Sequence, residues 1–104
     1  MEQLIVKNDW FIYQRLAPRW QERYMEQLVE QYKCVLNSTE SAFDKFWKIY
    51  KRISLDKSRA GVVMRIKKST MLFEIGVLLR EHVITFDDLK DFSPEFQNKM
   101  KEII

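Results

Sequence analysis

Glycine, proline, cysteine and histidine are all scarce in this chain of 104 residues, which holds two glycines, two prolines, one cysteine and one histidine. Gly61 and Gly76 cannot supply either phosphate-cradling loop, GxGxxG or GxxxxGK[ST], where backbone amides approach an anion with no Cβ in the way. So few glycines and prolines also leave a loop-rich β protein without its turn residues. A single thiol, Cys34, cannot close an intrachain disulfide, and with one imidazole, His82, it cannot complete a zinc site. A small domain that relies on its core alone is typical of a reducing compartment. The longest apolar stretch, Met71–Leu79, is interrupted by Glu74, and a membrane span needs about 20 apolar residues. The first residues have an acid at Glu2 and only Leu4, Ile5 and Val6 in apolar succession. A secretory signal has a basic start and an apolar run of about seven or more. The expected location is the cytoplasm, with no membrane partner.

What is present suits a packed globule: 46% of residues are hydrophobic and 13% aromatic. The expectation is an all-α single domain over 1–104, with about five helices and a central buried helix near 70–81. In the first segment Leu4, Ile5, Phe11, Ile12 and Leu16 share one side of a helix, although Asn8 and Asp9 are also candidate caps for a start at Trp10. Pro18 is expected to break the chain and restart it as a second helix to Leu36, because proline suits a first helical position and is costly in an interior. There Trp20, Tyr24 and Leu28 recur at i+4 as the apolar stripe. Arg19–Glu22, Arg23–Glu26 and Glu30–Lys33 are opposite-charge pairs on the wet face.

Ser41-Ala42-Phe43-Asp44 fits a capping box and opens an amphipathic helix, with Phe43, Phe46, Trp47, Tyr50 and Ile53 on one side. Asp56–Gly61 reads as a break. Val62–Ile66 is β-branched enough for a strand, but no partner strand is visible. The stripe Val62, Ile66, Thr70, Phe73 and Val77 favours helix, most firmly from Ser69 onward. It places Phe73 and Val77 in the core and lets Gly76 permit a close helix–helix approach. Thr85-Phe86-Asp87-Asp88 is a second capping box, opening a short helix through Phe92 with Leu89 inward. Ser93-Pro94-Glu95 is a strong helix start, with an N-cap serine, proline at the first position and an acid in the first turn. That last helix is expected to carry Phe96, Met100 and Ile103 inward.

The formal charge is only +3, but it is unevenly spread. From Lys45 to Lys68 nine basic groups (Lys45, Lys48, Lys51, Arg52, Lys57, Arg59, Arg65, Lys67 and Lys68) face one acid, Asp56. Phe46, Trp47 and Tyr50 are interleaved. Such a segment neutralises phosphates and releases counterions, and Trp47 at the edge of the apolar side is placed to stack on a base. The competing reading is a solvated helix face, balanced by the acidic C-terminal third, with the aromatics in the core. Residues 86–104 have the rhythm of a helix-turn-helix. Their charge is wrong for a recognition helix, since Asp87, Asp88, Asp91, Glu95 and Glu102 outnumber Lys90, Lys99 and Lys101.

Chemistry is thinly provided. Cys34 near a helix end reads as a small apolar residue, so a Cys34–His82 dyad is disfavoured. No nucleophile-elbow pattern accompanies a serine. Asp87, Asp88 and Asp91 read as first-turn helix acids. Glu74, in an apolar stretch, is expected to pair with an Arg or Lys of a neighbouring helix. No metal or cofactor is expected. The function expected first is a non-enzymatic helical binding or regulatory protein acting through a macromolecular partner, a protein before a nucleic acid. The alternative is nucleic-acid binding through the basic segment 45–68, and a small carboxylate-based enzyme is disfavoured. Self-association is a further option, because the basic middle and the acidic end are complementary.

Overall fold

Helices account for nearly all the regular structure in the computed structural model, which describes residues 7–104 and contains no strand among them. The all-α expectation holds, with four α-helices among the described residues rather than about five: α1 (Lys7–Leu36), α2 (Ala42–Asp56), α3 (Met71–Arg80) and α4 (Pro94–Ile103). Two short 3-10 turns, Lys68–Thr70 and Phe86–Leu89, precede α3 and α4 respectively. The expected stripe residues Leu4 and Ile5 lie outside the described residues.

Pro18 sits inside a continuous helix of 30 residues instead of separating two, contrary to the expected break. An interior proline forfeits the bond to the carbonyl four residues back and costs roughly 3 kcal/mol. Pro18 and Gln14 are both exposed, so the freed carbonyl of Gln14 faces water. The burial on the opposite side offsets the cost: Ile12, Tyr13, Ala17 and Trp20 are all buried and straddle the proline. Tertiary packing overrides local propensity here. At 1.5 Å per residue α1 is about 45 Å long, and it forms the spine of a molecule measuring 56 × 23 × 22 Å.

The main core gathers at the N-terminal half of this spine. Ile12, Tyr13, Ala17 and Trp20 of α1 meet Met71, Ile75, Leu78 and Leu79 of α3, Val83 and Ile84 beyond it, Leu89, Phe92, and Phe96 and Met100 of α4. Aromatic rings run through it in sequence, with Tyr13 against Trp20 at 6.2 Å, Trp20 against Phe92 at 6.2 Å and Phe92 against Phe96 at 5.1 Å. The inner stripe of α3 is therefore Met71, Ile75, Leu78 and Leu79, while Phe73 is 67% exposed. This corrects the expectation that Phe73 is core. The stripe that placed it inward requires helix from Val62, whereas residues 62–67 are irregular and Ile66 takes the left-handed φ of 53°. The inward helix of 70–81 is thus confirmed in position and shifted in phase.

Cap chemistry sets the element boundaries. The Ser41 hydroxyl accepts the Asp44 amide at 3.1 Å. Thr85 and Asp88 form a reciprocal capping box. The Ser93 hydroxyl accepts the Phe96 amide at 3.2 Å, with Pro94 in the first turn. α3 ends in a Schellman arrangement: the Val83 amide donates to the Leu78 carbonyl at 2.9 Å and the His82 amide to Leu79 at 3.1 Å. His82 holds the left-handed position, φ 60°, that glycine usually fills. Asp9, fully buried, accepts both the Ser93 amide at 2.8 Å and the Ser93 hydroxyl at 2.7 Å, tying the start of α1 to the start of α4. Leu89, Phe96 and Met100 are buried, but Ile103 is exposed. Among the three expected pairs on α1, Glu30–Lys33 forms, at 2.9 Å. Arg23 instead reaches across to Asp88 through two contacts of 3.0 Å. A Cβ on Gly76 would meet Arg80 at 3.7 Å and Ile103 at 3.9 Å, ordinary contacts, so no close helix approach depends on it.

Candidate functional site

The C-terminal end of α1 and the following helix α2 form a hairpin outside the main core, in which the last turns of α2 meet α1 at Gln31 and Tyr32. Its turn is Asn37–Ser41, and its base is held by a polar clasp. Asp56, 3% exposed at the end of α2, accepts from the Tyr32 hydroxyl of α1 at 2.6 Å and from Arg59 Nε at 2.7 Å. The Tyr32 hydrogen bond, reinforced by Arg59, holds the Asp56 carboxyl below the usual carboxylate range against the opposing effect of burial. Burial, then the hydrogen bond to Asp56, pushes the Tyr32 phenol up to about 12. The Arg52 guanidinium lies 5.6 Å over the Tyr32 ring and hydrogen-bonds Gln31, so α2 faces α1 with Arg52 and Asp56.

That orientation leaves the apolar side of α2 uncovered. Phe43 is 72% exposed, Phe46 63%, Trp47 50% and Tyr50 59%, and Ile53 is also exposed. The rings pack on one another rather than on the fold. Trp47 makes edge contacts with Phe46 at 5.1 Å, Tyr50 at 5.6 Å and Phe43 at 6.4 Å. A contiguous aromatic row of this kind is uncommon on the surface of a small soluble domain. The periodicity in the sequence locates an apolar side on α2, but nothing in it says whether another element covers that side.

The basic segment is distributed along the molecule. Lys45, Lys48, Lys51 and Arg52 lie on α2, Lys57 and Arg59 in the turn after it, and Arg65, Lys67 and Lys68 beside α3. From the first turn of α2 to Asp56 is about 17 Å, and from the level of Tyr32 to that of Tyr13, where Ile66 lies, is about 28 Å. The nine cations are therefore split between α2 with its following turn and a segment about 28 Å away along α1. Lys48 pairs with Glu40, Arg59 with Asp56, and Arg52 approaches Asp56 at 4.0 Å. The other six make no ion pair among the described residues. Trp47 is at the centre of the aromatic row, with Lys51 one helical turn away on its flank.

A concavity of about 330 Å³ opens between the irregular segment 58–65 and α3, lined mainly by Ala60, Val63, Met64, Phe73 and Val77. Its acid, Glu74, does not pair with an arginine or lysine as expected. Its Oε1 accepts the Tyr13 hydroxyl at 2.8 Å and the Ile66 amide at 3.3 Å. Burial, and secondarily this bond, drives the Tyr13 phenol far above its ordinary value. Glu74 thus anchors a strained backbone position to the core. Cys34 is exposed rather than packed as a small apolar residue, and it lies near the turn of the hairpin, whereas His82 ends α3 at the other half of the molecule. No group of three or more His, Cys, Asp or Glu that could hold a metal ion occurs among the described residues, and no described helix is long and apolar enough to cross a membrane. The chain matches no family model, no curated protein and no solved structure.

Proposed function

We propose that this is a non-enzymatic binding protein whose contact face is the aromatic row of α2, presented to a macromolecular partner by the α1–α2 hairpin, and that the partner is a protein. The observation that carries this reading is the exposure of Phe43, Phe46, Trp47 and Tyr50 together on one helix face. Aromatic anchors of this type dominate protein interfaces because they remove much apolar area from water while losing few rotatable bonds. The rest of the molecule acts as the rigid base: the main core and the Asp56 clasp fix the direction in which α2 points. Lys51 and Lys57, beside the row, favour a partner with acids at its rim, where charge sets the rate and orientation of encounter.

The nucleic-acid reading draws on the same residues, with bases stacking on Trp47 and phosphates meeting Lys51 and Lys57. It is weaker because three of the nine cations already have acidic neighbours and the others are dispersed. The test compares the parent with Trp47→Ala in a tagged pull-down, with and without nuclease, and in titrations with labelled duplex and single strand at low salt. The expected result is a protein partner that survives nuclease and is lost with Trp47→Ala. Binding abolished by nuclease, with a steep salt dependence of the titration, favours nucleic acid. A partner held equally by parent and variant refutes α2 as the contact face.

A further inference from the structure

Resting on that reading of α2, we infer that the partner is a second copy of this chain, with two α2 helices packing antiparallel about a two-fold axis near Trp47 and Lys48. Area is the first support. Taking about 200 Å² for a fully exposed aromatic side chain, the four exposed rings offer about 500 Å² per copy, or about 1,000 Å² for the pair, which reaches the lower bound of a specific interface. A single row of this size suits a symmetric partner, because an isologous contact uses the same patch twice.

Charge is the second support, and it selects the orientation. At about 100° per residue, Asp44 and Lys51 lie on the same flank of the aromatic row, seven positions apart. An antiparallel pairing centred between residues 47 and 48 sets Asp44 of each copy opposite Lys51 of the other, twice by symmetry. It also brings Phe43 within one residue of the level of Ile53 and Phe46 within one residue of that of Tyr50. In a parallel pairing the two-fold axis runs along the helices and carries this flank to opposite sides of the two copies, so neither Asp44–Lys51 cross-pair forms. The remaining cations do not oppose the antiparallel pair: Lys45, Lys48 and Arg52 lie on the far side of α2 from the row, where Lys48 is tied to Glu40 and Arg52 to Gln31 and α1. Neither Asp44 nor Lys51 makes an ion pair among the described residues.

The experiment is sedimentation of the full chain from about 1 µM to about 300 µM, a range that covers the affinity expected of a minimal interface. The parent is expected to pass from monomer to dimer over this range, and Trp47→Ala to stay monomeric with an unchanged helical spectrum. Asp44→Lys and Lys51→Asp are each expected to stay monomeric alone and to form a heterodimer when mixed, because mixing restores both cross-pairs. A parent that is monomeric throughout overturns the inference while leaving α2 free for another protein, so this failure is distinct from failure of the pull-down. A dimer that survives Trp47→Ala, or a mixture that stays monomeric, overturns the interface or its antiparallel order.

Discussion

Asp9→Ala is expected to be the most damaging single polar substitution in the molecule. Asp9 is 0% exposed and accepts two short hydrogen bonds from Ser93, 84 residues away in sequence. Alanine would leave the Ser93 amide and hydroxyl without an acceptor. A bond to a charged group contributes about 1.5–3 kcal/mol, and each buried donor left unpaired costs about 1–3 kcal/mol. The two are not additive, because Ser93 is only half-buried and its hydroxyl still receives the Phe96 amide. The net loss comes to about 3 kcal/mol, a large share of the stability of a small domain. In thermal unfolding this corresponds to a fall of roughly 15 °C for a chain of this size. Urea titration followed by far-UV circular dichroism should show a lower midpoint with an unchanged slope. The cycle formed by Asp9→Ala, Ser93→Ala and the double substitution should return a coupling of about 1–2 kcal/mol. A loss below about 1 kcal/mol, or no coupling, would refute the view that this contact locks α1 to α4.

Three further outcomes follow from the geometry. Gly61→Ala should destabilise by about 1–3 kcal/mol, because its Cβ would lie 2.4 Å from Tyr24 Cδ2 and 2.7 Å from Cγ, at the root of a ring that cannot swing clear; urea unfolding measures it, and a neutral result contradicts the packing of this turn on α1. His82→Gly should stabilise by up to about 1 kcal/mol, since His82 occupies a left-handed helix stop; a lower melting temperature would mean that the imidazole makes a contact outweighing the strain. Phe73→Ala should cost less than about 1 kcal/mol and Phe96→Ala about 3–5 kcal/mol, as Phe73 is largely exposed and Phe96 is 0% exposed and stacked on Phe92; reversal of that order in denaturant titrations would restore Phe73 to the core.

Local chemistry made some of this architecture legible. Ser41, Thr85 and Ser93 announce their helix starts because a cap is a contact between near neighbours in sequence, and the structure contains all three. Phe96 and Met100 are readable as core because α4 begins at an unambiguous cap, which fixes its phase. The misreadings share a cause, which is that their outcome is decided at long range. Pro18 is tolerated because Tyr13, Ala17 and Trp20 have a core to enter. The phase of α3 depends on the left-handed turn at Ile66, which is held by Glu74. Glu74 meets a tyrosine 61 residues away rather than a cation. The candidate site is half legible. Periodicity shows the aromatic side of α2 and composition shows the basic segment, but exposure depends on how Arg52 and Asp56 engage Gln31 and Tyr32, contacts between two helices that no local pattern encodes.

The claim on which the functional account stands is that the aromatic row of α2 is surface and not core. The direct measurement is the unfolding free energy of Phe46→Ser combined with Trp47→Ser, from urea titration at a protein concentration low enough that association adds nothing to stability. The expected result is a change within about 1 kcal/mol of the parent and a cooperative transition with the same slope. A loss of about 4 kcal/mol or more, the signature of truncated core aromatics, would show that these rings hold the fold together, and it would contradict the account.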